Sequence, residues 1–283
     1  RVTKINVAKE DLSEQDLIEL TALGAFNGVV VDYYVAKYFS ENYNNLKILK
    51  VQNENLLPGS WVVRKESKNL LKELNNFLPS VSAGSFMGNF IDLKYKSSYT
   101  NLKNRTEFIS DKKISPFDHL LKKYSGLYDF HWPVLASLAF QESRFNQMLV
   151  SSAGAIGVFQ VKKSTALEPY IGIKKIEGEN NLENNIHAGV KYLHWIRGSY
   201  FKNDKDISYK DKLRFTFAAY NAGPSIIKKA QRLAIKKGLD PSKWFRNVEL
   251  AMLDLGYLET VKYVSEINKR YVAYQLLIEN FEN

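Results

Sequence analysis

A single change of period near Phe117 constrains this chain more than any other feature. From there almost to the end, apolar residues recur at helical spacing. The pattern predicts helices over Phe117 to Tyr124, Trp132 to Glu142, Ser164 to Leu167, Leu182 to Tyr200, Lys210 to Tyr220, Ile226 to Lys237 and Thr260 to Glu279. Such a run buries its apolar stripes only by packing helix on helix, so 117–283 is expected to form an all-α domain. Before it the pattern alternates. Short β runs at Val2 to Val7, Val29 to Val31, Leu46 to Val51 and Trp61 to Arg64 are interleaved with helical segments. Those helices carry Leu17, Ile18 and Leu20, then Tyr34 to Tyr43, then Leu70, Leu71, Leu74 and Phe77. This is α/β punctuation, and 1–80 is expected to be an α/β domain. The Ser-, Asn- and Gly-rich stretch 81–116 reads as a connector. The fold class expected is therefore α+β multidomain.

The 283 residues suffice for about two domains. With 45% apolar and 25% charged residues, disordered and fibrous classes are excluded, and no apolar run approaches the roughly 18 residues that span a bilayer. The net charge of +10 favours an anionic partner. The cations are scattered singly or as Lys-Lys pairs, however, without the basic stripe of a nucleic-acid binder, and they also suit a solvated surface. The absence of cysteine excludes disulfides, thiolate metal sites and a thiol nucleophile. His119, His131, His187 and His194 form no H-E-x-x-H pair, so no metal and no cofactor is expected. The chain opens at Arg1 with no initiator Met, apolar leader or lipid-accepting Cys, which suggests a mature or trimmed form.

Within the segment from Trp132, Leu135, Leu138 and Glu142 fall at i, i+3 and i+7, which sets a carboxyl on the stripe of buried leucines. Desolvation raises a carboxyl pKa, and an acid still protonated near neutrality can donate a proton to a leaving oxygen. The alternative is a capping or salt-bridged Glu at the helix edge. Ser151 to Gln160 (SSAGAIGVFQ) holds small-residue turns that let backbone approach a ligand, or serves as a plain helix connection. Phe217 to Pro224 (FAAYNAGP) ends a helix with Tyr220 and Asn221 at its edge.

Taken together, five ordered blocks carry a resemblance. They are Glu142-Ser143-Arg144-Phe145, Ser151 through Gln160, Asn185-Ile186 with Gly189 to Leu193, Ala218 to Gly223, and Glu259-Thr260 with Tyr263-Val264. Over about 125 residues the chain resembles the lytic transglycosylase domain of murein transglycosylases, relatives of goose-type lysozyme. The resemblance implies an all-α lysozyme-like catalytic domain that acts on peptidoglycan. It implies that Glu142 is the catalytic acid/base, that Ser151 and Gln160 line the cleft, and that Tyr220 and Asn221 contact the sugar. Where the family has Leu-Met and then Met-Pro, this chain has Val158-Phe159 and Val161-Lys162-Lys163, a departure expected to reshape the glycan subsites.

Ordinary glycosidases use two carboxylates, about 5 Å apart for retention or roughly 6.5 to 9.5 Å for inversion, whereas the blocks supply one. The family's mechanism implies that Glu142 protonates the glycosidic oxygen leaving N-acetylmuramic acid, then takes the proton of that sugar's own C6 hydroxyl as it attacks C1. A 1,6-anhydro-muramyl end results. A hydrolytic muramidase and a non-catalytic murein-binding scaffold stay open as alternatives on the same fold.

Gly24 to Asn27 with Asp32, Tyr43 to Lys47 and Trp61 to Lys65 resemble part of a periplasmic solute-binding domain. The order of modules is similar to that of membrane-bound lytic transglycosylases of the F type. This implies a partial periplasmic-binding-protein-like N-terminal domain, a periplasmic location with attachment to the outer membrane, and a muropeptide or amino-acid-like ligand. Asp32 is the candidate N-terminal ligand site, its carboxylate pairing with an ammonium, or else it caps the helix beginning at Tyr34.

Overall fold

The computed structural model describes residues 12, 14–22, 24, 26–40, 43, 45–49, 63–81, 84, 85, 89, 113–202 and 204–282. The chain divides into two compact units, the first of them covering residues 12–107. Its described part holds helices α1 (Glu14–Ala22), α2 (Tyr33–Ser40) and α3 (Lys68–Phe77), the last running into a 3-10 turn, Leu78–Val81. Ile18, Phe39 and Tyr43 form a small buried cluster between α1 and α2. Gly24 ends α1 in the left-handed region, φ +78°, a conformation glycine adopts without a Cβ penalty.

The β expectation is not met among the described residues of this unit. Val29 to Val31 and Leu46 to Leu49 run without ladder bonds, and Val30 is 82% exposed. A β-branched run becomes a strand through cross-strand pairing, so the residue types alone do not decide it. The expected run Val2 to Val7 lies outside the described residues, as do Val51, Trp61 and Val62.

The second unit, from residue 108 onward, is built of helices. They are α4 (Asp118–Tyr128), α5 (Trp132–Ser143), α6 (Lys163–Leu167), α7 (Leu182–Ile196), α8 (Tyr209–Ala222), α9 (Pro224–Lys236), α10 (Glu249–Asp254) and α11 (Leu258–Glu282). Helix α5 is its axis. Every residue from Pro133 to Phe140 is buried, so the helix is apolar all round and is enclosed by α4 on one side and α11 on the other. Pro133 lies in the first turn, where its missing N–H leaves no bond unmade. Ser208 caps α8, its Oγ accepting from Asp211 N at 3.1 Å.

Helix α7 ends sooner than its period suggests. The α-helical part stops at Ile196, and a wider π turn carries the chain through Arg197–Phe201. Between α5 and α6 the chain forms a small antiparallel hairpin, β1 (Ala155–Ile156) on β2 (Val161–Lys162). The hairpin displays the loop Gly157 to Gln160 at its turn.

Candidate active site

Glu142 lies in the last turn of α5, half-buried by the helices around it. The helix is stopped immediately afterwards by two consecutive non-glycine residues in the left-handed region, Arg144 (φ +53°) and Phe145 (φ +63°). Phe145 is buried and packs edge-on against Phe117 and Phe140, which holds this unfavourable turn in place. The carboxyl thus sits at a fixed helix end rather than on a fraying one.

Tyr263, on α11, donates its hydroxyl to Oε1 of Glu142. Burial pushes the Glu142 carboxyl up to about 7 from its ordinary 4.5, and the Tyr263 hydrogen bond, which favours the charged form, offsets part of that rise. Burial first, and the Glu142 charge second, hold the hydroxyls of Tyr263 and Tyr220 well above their usual range, so both remain proton donors. An acid pushed up to about 7 and held by a neutral phenol can deliver a proton to a substrate oxygen and take one back at neutral pH.

The hairpin loop is pinned from four directions. Ser143 Oγ donates to Val158 O at 2.9 Å. Gln147 Oε1 accepts from Val158 N at 3.2 Å, while its Nε2 donates to the carbonyls of Ile176 and Gly178, each at 3.1 Å. Asn185, fully buried on α7, accepts from Phe159 N at 3.0 Å and donates to Ile156 O at 2.8 Å. Tyr220 donates its hydroxyl to Phe159 O at 2.7 Å. Every polar backbone group of Val158 and Phe159 therefore has a partner, as a buried segment without ladder bonds requires.

Two glycines make this closeness possible. A Cβ on Gly157, at φ +76°, would lie 2.6 Å from both Asn185 Nδ2 and Gln147 Oε1. A Cβ on Gly189 would lie 2.3 Å from Phe159 Cβ, because the Phe159 side chain packs directly on the α7 backbone there. Gly189→Ala is expected to lower unfolding free energy by about 1–3 kcal/mol, the range for overpacking a dense core, as read by urea denaturation. Unchanged stability would show that Phe159 moves aside at no cost.

The remaining expected residues are placed as follows. Ser151 closes the turn that precedes β1: its N–H donates to Ala155 O at 2.9 Å, and its Oγ accepts from Ala155 N at 3.0 Å. Gln160 takes a left-handed backbone, φ +47°, and its Nε2 donates to the carbonyls of Leu149 (3.1 Å) and Gly157 (3.0 Å), so its amide is engaged inside the loop. Asn221 is exposed at the end of α8, where its Oδ1 accepts from Thr260 Oγ1 at 2.7 Å. Asp32 belongs to the other unit. It is exposed directly before α2, and its backbone carbonyl accepts from Ala36 N at 2.8 Å.

The departure at Val158-Phe159 does not fall where the sequence places it. Both side chains are wholly buried, as is nearly all of Val161, so they shape the core beneath the loop rather than a sugar subsite; only Lys162 and Lys163 are exposed. The reason is local. The left-handed turns at Gly157 and Gln160 bracket the pair and turn it inward. Reading the sequence assigned no role to Tyr263, Asn185 or Gln147. Thr260 and Tyr263 are spaced i, i+3 on one face of α11, two hydroxyls beside the buried Val261 and Val264, and that polar pair on a buried stripe is the signal that was available.

Residues 119–242 match the family described as Transglycosylase SLT domain. The membrane-bound lytic murein transglycosylase F of Desulfosudis oleivorans is 27% identical over 275 residues, covering 91% of this chain and 58% of that protein. The protein of the same name from Actinobacillus succinogenes is 31% identical over 168 residues, covering 58% of this chain and 32% of its own length. The chain thus spans about half, or less, of the length of these relatives. The lytic transglycosylase Slt of Pseudomonas aeruginosa, an inactive mutant, superposes with a TM-score of 0.46 at 20% identity over 68% of this chain and 29% of its own. The chain accordingly carries a transglycosylase SLT domain over residues 119–242 and is a relative of the lytic murein transglycosylases.

Proposed function

We propose that the chain is a peptidoglycan lytic transglycosylase that cleaves the β-1,4 bond between N-acetylmuramic acid and N-acetylglucosamine. Glu142 acts first as general acid and then as general base. One observation carries the reading: a lone carboxyl, pushed up to about 7 by burial and touched by the Tyr263 hydroxyl, at the end of a rigid helix beside a pinned loop. Protonated, Glu142 gives its proton to the glycosidic oxygen; ionised, it receives the proton of the C6 hydroxyl as that oxygen closes on C1. An internal nucleophile is already held next to its target, so one carboxyl can serve both halves of the reaction. The 1,6-anhydro-muramyl end that results contains no atom of water.

In this reading Tyr220 and Asn221 face the sugar, the NH2 of Asn221 meeting an acetamido carbonyl. Ser151 and Gln160 act by shaping the hairpin that borders it. The relatives' membrane-bound names support a periplasmic, membrane-associated setting. Among the described residues no helix is long and apolar enough to cross a membrane. The layout proposed is 1–80 as part of a solute-binding-like domain with Asp32 as its candidate ligand site, 81–116 as connector and 117–283 as the catalytic domain.

The decisive experiment digests purified sacculi and identifies the released muropeptides by mass spectrometry. Anhydro-muramyl ends are expected. Reducing ends carrying an added water would instead make the protein a hydrolytic muramidase, and sacculus binding without release would make it a scaffold.

A further inference from the structure

Tyr220, whose hydroxyl holds the loop carbonyl of Phe159, is the first ring of a connected aromatic row. Tyr192 lies 5.3 Å from it between ring centroids, Trp195 lies 6.1 Å beyond Tyr192 at an interplanar angle of 14°, and Tyr170 stacks on Trp195 at 4.0 Å and 9°. Tyr200 closes edge-on against Trp195 at 5.6 Å. We propose that Trp195 and Tyr170 form a sugar-stacking platform that holds a saccharide unit of the same glycan strand at a distance from the bond placed at Glu142. The proposal rests on the glycan-cleaving reading above and extends it to substrate length.

Three observations support it. First, these rings pack against the core without belonging to its fully buried part. On α7 the stripe Ile186, Val190, Leu193 and Ile196 is fully buried, whereas Tyr192 and Trp195 form a neighbouring i, i+3 stripe that stays partly exposed. Second, the platform is rigid. The loop bearing Tyr170 is anchored by the buried Ile171 next to it, and Lys191 Nζ donates to Ile171 O at 2.9 Å. Third, the row is continuous with the candidate active site through Tyr220. Pyranose rings present apolar C–H faces with polar edges. Tyr170 and Trp195 cover each other's facing surfaces, so the pair meets a sugar with an outer ring face already fixed in place, at little entropic cost, and with hydroxyl or N–H edges that suit a wet rim.

The test uses the full chain with Glu142→Gln, so that nothing is consumed. Calorimetric titration is made with soluble N-acetylglucosamine–N-acetylmuramic acid oligosaccharides of four and of eight units. Adding Trp195→Ala is expected to weaken binding of the eight-unit chain about tenfold, a change of about 1.4 kcal/mol. The four-unit chain should stay within about twofold, and Trp195→Phe should restore most of the loss. A folded Trp195→Ala protein that binds both lengths as before, or loses both equally, overturns the platform. Should Trp195→Ala melt early, Tyr170→Ala, on the loop, gives the same reading with α7 intact. If the Glu142→Gln protein binds neither length, the glycan reading falls and the platform with it. If it binds both without length dependence, only the platform falls.

Discussion

Glu142→Gln should lose about 10²–10⁴ of the turnover on sacculi, the usual contribution of a positioned general acid, and at the same time become the more stable protein above neutral pH. The two effects share one cause. The native carboxyl titrates near 7 and the unfolded one near 4.5, so the folded state binds the proton more tightly. Stability from this group is fully present below pH 4.5 and is lost as pH rises through 7, the loss amounting to about 3 kcal/mol. Glutamine has no such charge to bury. Urea denaturation should therefore show the variant ahead by about 3 kcal/mol at pH 8 and level with the parent near pH 4.5. A variant equally destabilised at both pH values would show that Glu142 is not held in a desolvated state. Since the acid must enter the cycle protonated, kcat/KM of the parent should fall as pH passes upward through about 7. A profile flat from pH 6 to 9 would remove Glu142 from the acid role.

Much of the C-terminal helical unit was legible because its helices are long and strongly periodic. The span expected from Trp132 to Glu142 is α5 to within one residue. Glu142 could be placed on a buried stripe with Leu135 and Leu138, a relation along one helix, whereas its choice as the candidate acid came from the family resemblance of the ordered blocks. What stayed hidden was every contact across helices. Tyr263 meets Glu142 from 121 residues away, and no local period encodes that meeting. Val158 and Phe159 looked like subsite residues because they stand in the loop motif. Their inward direction is set by two left-handed backbone turns, one of them at Gln160, a residue type that gives no warning of it. In the N-terminal unit the β-branched run Val29 to Val31 suggested a strand, but a strand exists only where a partner pairs with it. Local pattern thus carried most of the long helices and the stripe on which Glu142 lies, while the groups that surround its carboxyl follow from packing, and the short helix α10 left no periodic signal.

Asn185→Ala is expected to damage the fold around the site. The side chain is fully buried and satisfies two backbone groups at once, Phe159 N and Ile156 O, at opposite ends of the loop turn. Alanine removes both bonds without exposing either group to water, so the loss is the full desolvation penalty of two orphaned groups, about 2–5 kcal/mol in all. Function should suffer more than stability alone accounts for. The Phe159 carbonyl is where the Tyr220 hydroxyl is held, and the Glu142 charge is felt at that hydroxyl; a loop that drifts releases the phenol from its place. Even under conditions where the variant is folded by circular dichroism, its kcat on sacculi should drop at least about tenfold, as misplacement of a positioned group does. Gln147→Ala is the comparison: it removes the bond to Val158 N from the other side of the same loop, together with those to the Ile176 and Gly178 carbonyls, and leaves Asn185 and the Phe159 N–H bond in place. If the loop is fixed chiefly through Asn185, Gln147→Ala keeps Tyr220 seated and loses stability without a comparable loss of kcat. Equal losses of kcat in the two variants would mean that the loop acts as one rigid piece, held by no single residue.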